Sequence, residues 1–129
     1  MTEKRKKILI IEDDQILADM YGLKFKKDGY EVLITENGAD GLNLAKTKKP
    51  TVILLDIILP QLDGFSILAE LKKNATTKKI PVILLTNLGQ GGDLEKGKNL
   101  GADGYLTKAN TTPDEIMKQI KNILENREK

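Results

Sequence analysis

The chain has 129 residues, a net charge of +2 from 21 basic and 19 acidic side chains, and no cysteine or histidine. That length suits one domain with a real core, and the near-balance of charge points away from a polyanion partner. Without cysteine there is no disulfide framework, and no apolar run approaches the ~20 residues a membrane span needs.

The basic start around Lys4 and Arg5 leads into a short strand-like run that ends in acids, which is not a signal peptide. A cytoplasmic protein is expected, with a single domain over 1–129 and a core of about 7–125. Residues 7–11 are β-branched and apolar and read as a first strand ending in Glu12, Asp13 and Asp14. Asp14 can cap a helix whose apolar side carries Ile16, Leu17, Met20, Leu23 and Phe25, closed near Asp28 by Gly29 in the left-handed conformation. Residues 30–35 form a second strand. Asn37 opens a helix through Leu42, Leu44 and Ala45 that Pro50 stops. Residues 51–55 form a third strand, an apolar run of the kind buried on both faces. Residues 64–73 are a helix, with Phe65, Ile67, Leu68 and Leu71 apolar, and 74–79 a polar loop. Residues 80–86 form a fourth strand. A glycine-interrupted helix covers 90–100, and 104–107 is a fifth strand. Thr112, Pro113 and Glu115 open a last helix with Ile116, Ile120, Ile123 and Leu124 as its stripe, fraying over 126–129. Strands that alternate with helices in this way should be parallel, with right-handed crossovers.

In a parallel sheet the carboxyl ends of all strands share one edge, where ligands bind. Here that edge collects Glu12 and Asp13 after strand one, Asp56 after strand three, Thr86 after strand four and Lys108 after strand five. Each alone reads as well as a cap, a turn residue or a surface lysine; their coincidence at one edge does not. If strands one and three are neighbours, three carboxylates converge and cannot all stay ionised without a cation. Mg2+ answers that need. Asp13 and Asp56 are expected as direct ligands, with the Ile58 carbonyl as a neutral ligand and Glu12 acting through water. Lys108 adds a fixed positive charge and Thr86 a hydroxyl donor. This set fits phosphoryl transfer onto Asp56, a nucleophile that needs no general base. The donor histidine must come from another protein, since this chain has none.

The chain resembles the receiver domain of two-component response regulators. The resemblance lies in Ile10 to Asp14, Leu54 to Asp56 with Pro60, Asp63 and Gly64, Leu84 to Thr86, Gly101 to Asp103, and Tyr105 to Lys108. It implies an α/β, flavodoxin-like (βα)5 fold with a doubly wound sheet of order 2-1-3-4-5. It implies Mg2+-dependent phosphorylation of Asp56 by a sensor histidine kinase or histidine phosphotransfer protein. It further implies a switch in which Thr86 and Tyr105 move and the helix 4–strand 5–helix 5 face changes partners. Such a protein catalyses only its own phosphorylation and dephosphorylation. Its readout would be a downstream output protein or a missing output domain, without direct nucleic-acid or membrane binding, and with room for a phosphorylation-dependent homodimer. Three positions depart from the family. Ala109 replaces the usual proline after the lysine, where a cis bond would cost about 3 kcal/mol. Asn87 replaces a small residue after Thr86. Ile58 and Leu88, flanking the phosphate, are apolar, which implies slow self-hydrolysis. The competing readings are a Mg2+ phosphatase, for which Ile58 lacks the acid; a flavin or nucleotide module, for which no glycine-rich phosphate loop follows strand one; and a receiver used only for interaction.

Overall fold

The computed structural model describes residues 6–59, 63–86, 91–108 and 112–127. Along these run β1 (Lys7–Ile11), α1 (Gln15–Lys27), β2 (Glu31–Thr35), α2 (Gly38–Lys48), β3 (Val52–Asp56), α3 (Gly64–Lys73), β4 (Val82–Thr86), α4 (Gly91–Asn99), β5 (Gly104–Thr107) and α5 (Pro113–Arg127). The strands pair in parallel in the order β2-β1-β3-β4-β5. The expected flavodoxin-like topology is therefore the one observed.

Alternation along each strand divides the core between two faces. Ile8, Ile10, Val52, Leu54, Ile83 and Leu85 pack with Tyr21 and Phe25 of α1 and with Ile116 and Ile120 of α5. Leu9, Ile11, Ile53, Leu55, Val82 and Leu84 pack with Ala45 of α2 and with Phe65, Ile67, Leu68 and Leu71 of α3. With helices on both faces, β3 and β4 are buried at every position, which explains their unbroken apolar runs. The caps at Asp14, Asn37 and Thr112 are those the sequence indicates, and Asp63 caps a further helix. Asp14 accepts from the Leu17 amide at 3.1 Å, Asn37 from those of Ala39 and Asp40, and Asp63 from that of Ser66. Thr112 and Glu115 close a capping box, and Gly29 ends α1 at φ +92°.

Several expectations shift. Tyr30, Thr51, Ile80 and Pro81 lie just outside their strands. Tyr30 instead stacks edge-on against Phe25, and the Thr51 hydroxyl accepts from the Lys7 amide. The loop over 74–79 is not wholly exposed: Thr77 is buried and donates its hydroxyl to the Leu71 carbonyl at 2.7 Å. Gly97 does more than weaken α4, because a Cβ there would lie 2.6 Å from Leu84 Cδ1; the glycine lets α4 settle onto β4. The largest correction concerns α1. It buries Ala18, Tyr21, Gly22 and Phe25, whereas Ile16, Met20 and Leu23 are exposed. The reason is contact distance: a Cβ on Gly22 would lie 3.2 Å from Ile34 Cδ1. Gly22 therefore goes inward, Tyr21 and Phe25 fill the core beside it, and Ile16, Met20 and Leu23 are left outside.

Gly64, at the start of α3, has the most constrained surroundings. A Cβ there would overlap the backbone carbonyl of Asp56 and lie 2.5 Å from the Ile57 Cα. Backbone cannot yield as a flexible side chain does. Gly64→Ala is expected to destabilise the chain by about 3 kcal/mol in urea unfolding, against about 1 kcal/mol for Gly29→Ala, where only the positive φ objects. Equal effects at the two positions would refute this account of the α3 junction.

Candidate functional site

The sheet register brings the site together. Ile11 pairs with Leu55 across β1 and β3, so the residues that follow, Glu12 and Asp56, end side by side at the carboxyl edge. The Glu12 amide donates to the Thr35 carbonyl and the Ile57 amide to the Leu85 carbonyl, which extends the ladder past both strand ends. Glu12 and Asp56 are buried while Asp13 is exposed. Gly64 packs its backbone directly on that of Asp56 and Ile57 and so fixes the Asp56 backbone from below. The sequence signalled a turn there but not that contact.

Lys108, at the end of the β5 strand, reaches across to both buried acids. Its Nζ lies 2.6 Å from Glu12 Oε1 and 3.0 Å from Asp56 Oδ2. The other oxygens are also engaged: Glu12 Oε2 accepts from the Asp14 amide at 3.0 Å, and Asp56 Oδ1 from the Ile58 amide at 3.1 Å. One ammonium thus serves two carboxylates in a water-poor setting. Burial, reinforced by Glu12 and only partly opposed by Lys108, pushes the Asp56 carboxyl up to about 7. Burial alone would depress Lys108, but its hydrogen bonds to Glu12 and Asp56 outweigh it and raise the ammonium's pKa. The cluster is under-compensated.

One oxygen from each of Glu12, Asp13 and Asp56 lies within 4.8 Å of the others. An all-oxygen set of that span, short of positive charge, fits a hard divalent cation such as Mg2+. Beside it opens a polar cavity of about 750 Å3, lined among others by Glu12, Asp13, Thr35, Asn37 and Asp40. Glu12 pairs directly with Lys108. Thr86 ends β4 as a buried residue in register with Thr107. Tyr105 packs against the α2–α3 side of the core, and its buried hydroxyl makes no hydrogen bond among the described residues. Ile58 is 63% exposed. Pro60, Asn87, Leu88, Ala109 and the Lys108–Ala109 peptide fall outside the described residues.

Among the described residues no helix is long and apolar enough to cross a membrane. A family model described as the response regulator receiver domain matches residues 8–121. Protein PilH of Pseudomonas aeruginosa is 42% identical over 120 residues, covering 92% of this chain and 97% of PilH. The DNA-binding dual master transcriptional regulator RpaA of Synechocystis is 41% identical over 102 residues, 79% of this chain but 42% of RpaA. The alkaline phosphatase synthesis transcriptional regulatory protein PhoP of Bacillus subtilis is 34% identical, covering 92% of this chain and 48% of PhoP. The chain therefore spans nearly all of the first relative and about half or less of the other two. Among solved structures, the receiver domain protein (CheY-like) of Methanospirillum hungatei superposes with a TM-score of 0.89 at 28% identity, covering 97% of this chain and 98% of that one. Chemotaxis protein CheY4 of Vibrio cholerae gives 0.87 at 25% identity, covering 93% and 99%.

A raised Asp56 pKa means that the folded chain holds a proton which the unfolded chain releases near pH 4. Stability contributed by that proton is complete below about pH 4 and is lost as pH rises to about 7. In metal-free buffer Asp56→Asn is therefore expected to be more stable than wild type at pH 8, by about 2 kcal/mol after screening, and near-equal at pH 4. Added Mg2+ should raise the wild-type melting temperature and leave that of the variant little changed. A pH-independent difference in thermal scans would contradict the crowding of charge at this edge.

Proposed function

The chain belongs to the response regulator receiver family, and from that premise we propose that it is a phospho-accepting switch whose acceptor is Asp56. The observation that carries this is the single ammonium of Lys108 held between Glu12 and Asp56 at the sheet edge. A carboxylate oxygen of Asp56 attacks the phosphorus of a partner's phosphohistidine. The O–P bond forms, the N–P bond breaks, and its electron pair returns to the imidazole of a sensor histidine kinase or histidine phosphotransfer protein. Burial strips the nucleophile of water, and the Ile58 amide and Lys108 hold it in place.

Asp13, Asp56 and the Ile58 carbonyl would hold Mg2+, with Glu12 acting through water, and the bound ion supplies positive charge against the phosphoryl oxygens. Lys108 already lies within hydrogen-bond reach of Asp56 and can donate to the oxygens of the new acyl phosphate. The Thr86 hydroxyl, on the neighbouring strand end, serves a further oxygen. Thr86 and Tyr105 would then relay the change to the face of α4, β5 and α5, read by an output protein or output domain in a cytoplasmic setting. The unpartnered Tyr105 hydroxyl supports a switching role, since a buried polar group without a partner costs about 1–3 kcal/mol and leaves the ring a reason to move. The only chemistry is the gain and loss of this one phosphoryl group.

Incubation with acetyl phosphate and Mg2+ is expected to add one phosphate-sized mass to the intact chain, and none to Asp56→Asn. An equal gain in that variant would sink the assignment. The exposed alkyl group of Ile58 beside the acceptor can orient no water, so the acyl phosphate should decay slowly. Ile58→Asn is expected to shorten its half-life by about 10-fold. A wild-type lifetime of seconds would rule this out.

A further inference from the structure

Helix α4 has almost no apolar surface with which to hold its place. Its nine residues carry one apolar side chain, Leu94, and that one is 41% exposed. Apolar side chains seat α3 and α5 on the sheet, but they cannot seat this helix. The contacts that do so meet at Phe65. Gly97 is buried, and a Cβ there would lie 2.6 Å from Leu84 Cδ1 and 3.9 Å from Phe65 Cε1. One residue earlier, the Lys96 ammonium stands over the Phe65 ring, 4.6 Å from its centroid, within cation–π range. No other α4 side chain makes an ion pair or ring contact among the described residues.

The two halves of this seat both lead to the phospho-acceptor. Phe65 is 7% exposed and follows Gly64, whose backbone packs on that of Asp56. Leu84 lies two residues before Thr86 and is in register with Tyr105 on β5. Phe65, Leu84 and Tyr105 belong to one core layer. A short helix with a glycine near its middle has little stability of its own, so its position follows its seat. Any shift of Thr86 and Tyr105 moves the Leu84 half of the seat against the Phe65 half. The ammonium over the ring resists that shift. The contact is formed in the arrangement in which Lys108 bonds the Asp56 carboxylate.

We propose that Lys96 is a positioning residue, a clamp that ties α4 to the acceptor junction through the face of Phe65 while Asp56 is unesterified, and that opens when the phosphoryl group arrives. The coupling rests on the reading of Asp56 as acceptor; the clamp itself does not. Loss of the clamp frees α4 and, by reciprocity, favours the esterified form.

Amide hydrogen exchange of the full chain tests the clamp with no phosphoryl group present. Lys96→Met keeps the alkyl stem and removes the charge, whereas Lys96→Arg keeps the charge. In Lys96→Met the α4 amides are expected to exchange about threefold faster relative to those of α5, and in Lys96→Arg at the wild-type rate. Phe65→Leu should loosen α4 relative to α5 to a similar degree, and the double variant no further. Exchange in α4 that ignores Lys96→Met, or effects that simply add in the double variant, would overturn the clamp. Beryllofluoride with Mg2+, a stand-in for the acyl phosphate, reads the coupling. Lys96→Met is expected to bind it about threefold more tightly than wild type, and Lys96→Arg equally to wild type. Equal affinity in Lys96→Met would reduce the contact to a structural one and overturn the coupling. A wild-type chain that takes up neither beryllofluoride nor phosphate, with exchange as expected, would overturn Asp56 as acceptor and leave the clamp standing.

Discussion

Everything at the functional edge depends on one ammonium shared by two buried carboxylates. Lys108 reaches Glu12 and Asp56 at 2.6 and 3.0 Å, in a place where either acid alone would be costly to ionise. The balance is incomplete, and a third acid, Asp13, stands at the rim. A structure optimised only for stability would have filled this edge with apolar side chains. Keeping it short of positive charge leaves a buried carboxylate that a nearby cation would relieve. The same shortage raises the Asp56 pKa.

The rest of the fold holds that edge still. Two core layers bury β3 and β4 completely, so the residues at their ends have little freedom. The α3 helix begins on Gly64, in contact with the Asp56 backbone, and the Asp63 cap orients its first turn. At the opposite edge, Lys72 bonds the Ile80 carbonyl and Asp103, and Asp103 in turn accepts from the Val82 amide. That cross-link anchors the start of β4 far from the chemistry. Rigid strands then present their carboxyl ends in fixed positions.

Helix α1 meets two different surroundings. Inward it needs small and aromatic residues, because Gly22 sits against Val32 and Ile34 and Tyr21 and Phe25 fill the core. Outward it carries Ile16, Met20 and Leu23, which nothing among the described residues covers. The unequal demands also explain why a simple apolar stripe misjudged which way the helix faces.

The element order, the caps at Asp14, Asn37 and Thr112, and the gathering of Glu12, Asp13 and Asp56 at one sheet edge were legible in the sequence. Each rests on local chemistry: branched runs make strands, short polar side chains cap helices, and a parallel sheet collects its strand ends at one edge. Local rules could not say that Glu12 would bond Lys108, since that depends on a lysine 96 positions away in the chain reaching across two strands. Nor could they show that Gly64 and Gly97 are close-packing positions, or that α1 turns Ile16, Met20 and Leu23 outward. Those outcomes were decided by distances between elements. Whether a Cβ fits, and whether one charge reaches another, is fixed only when the sheet and its helices have been brought together.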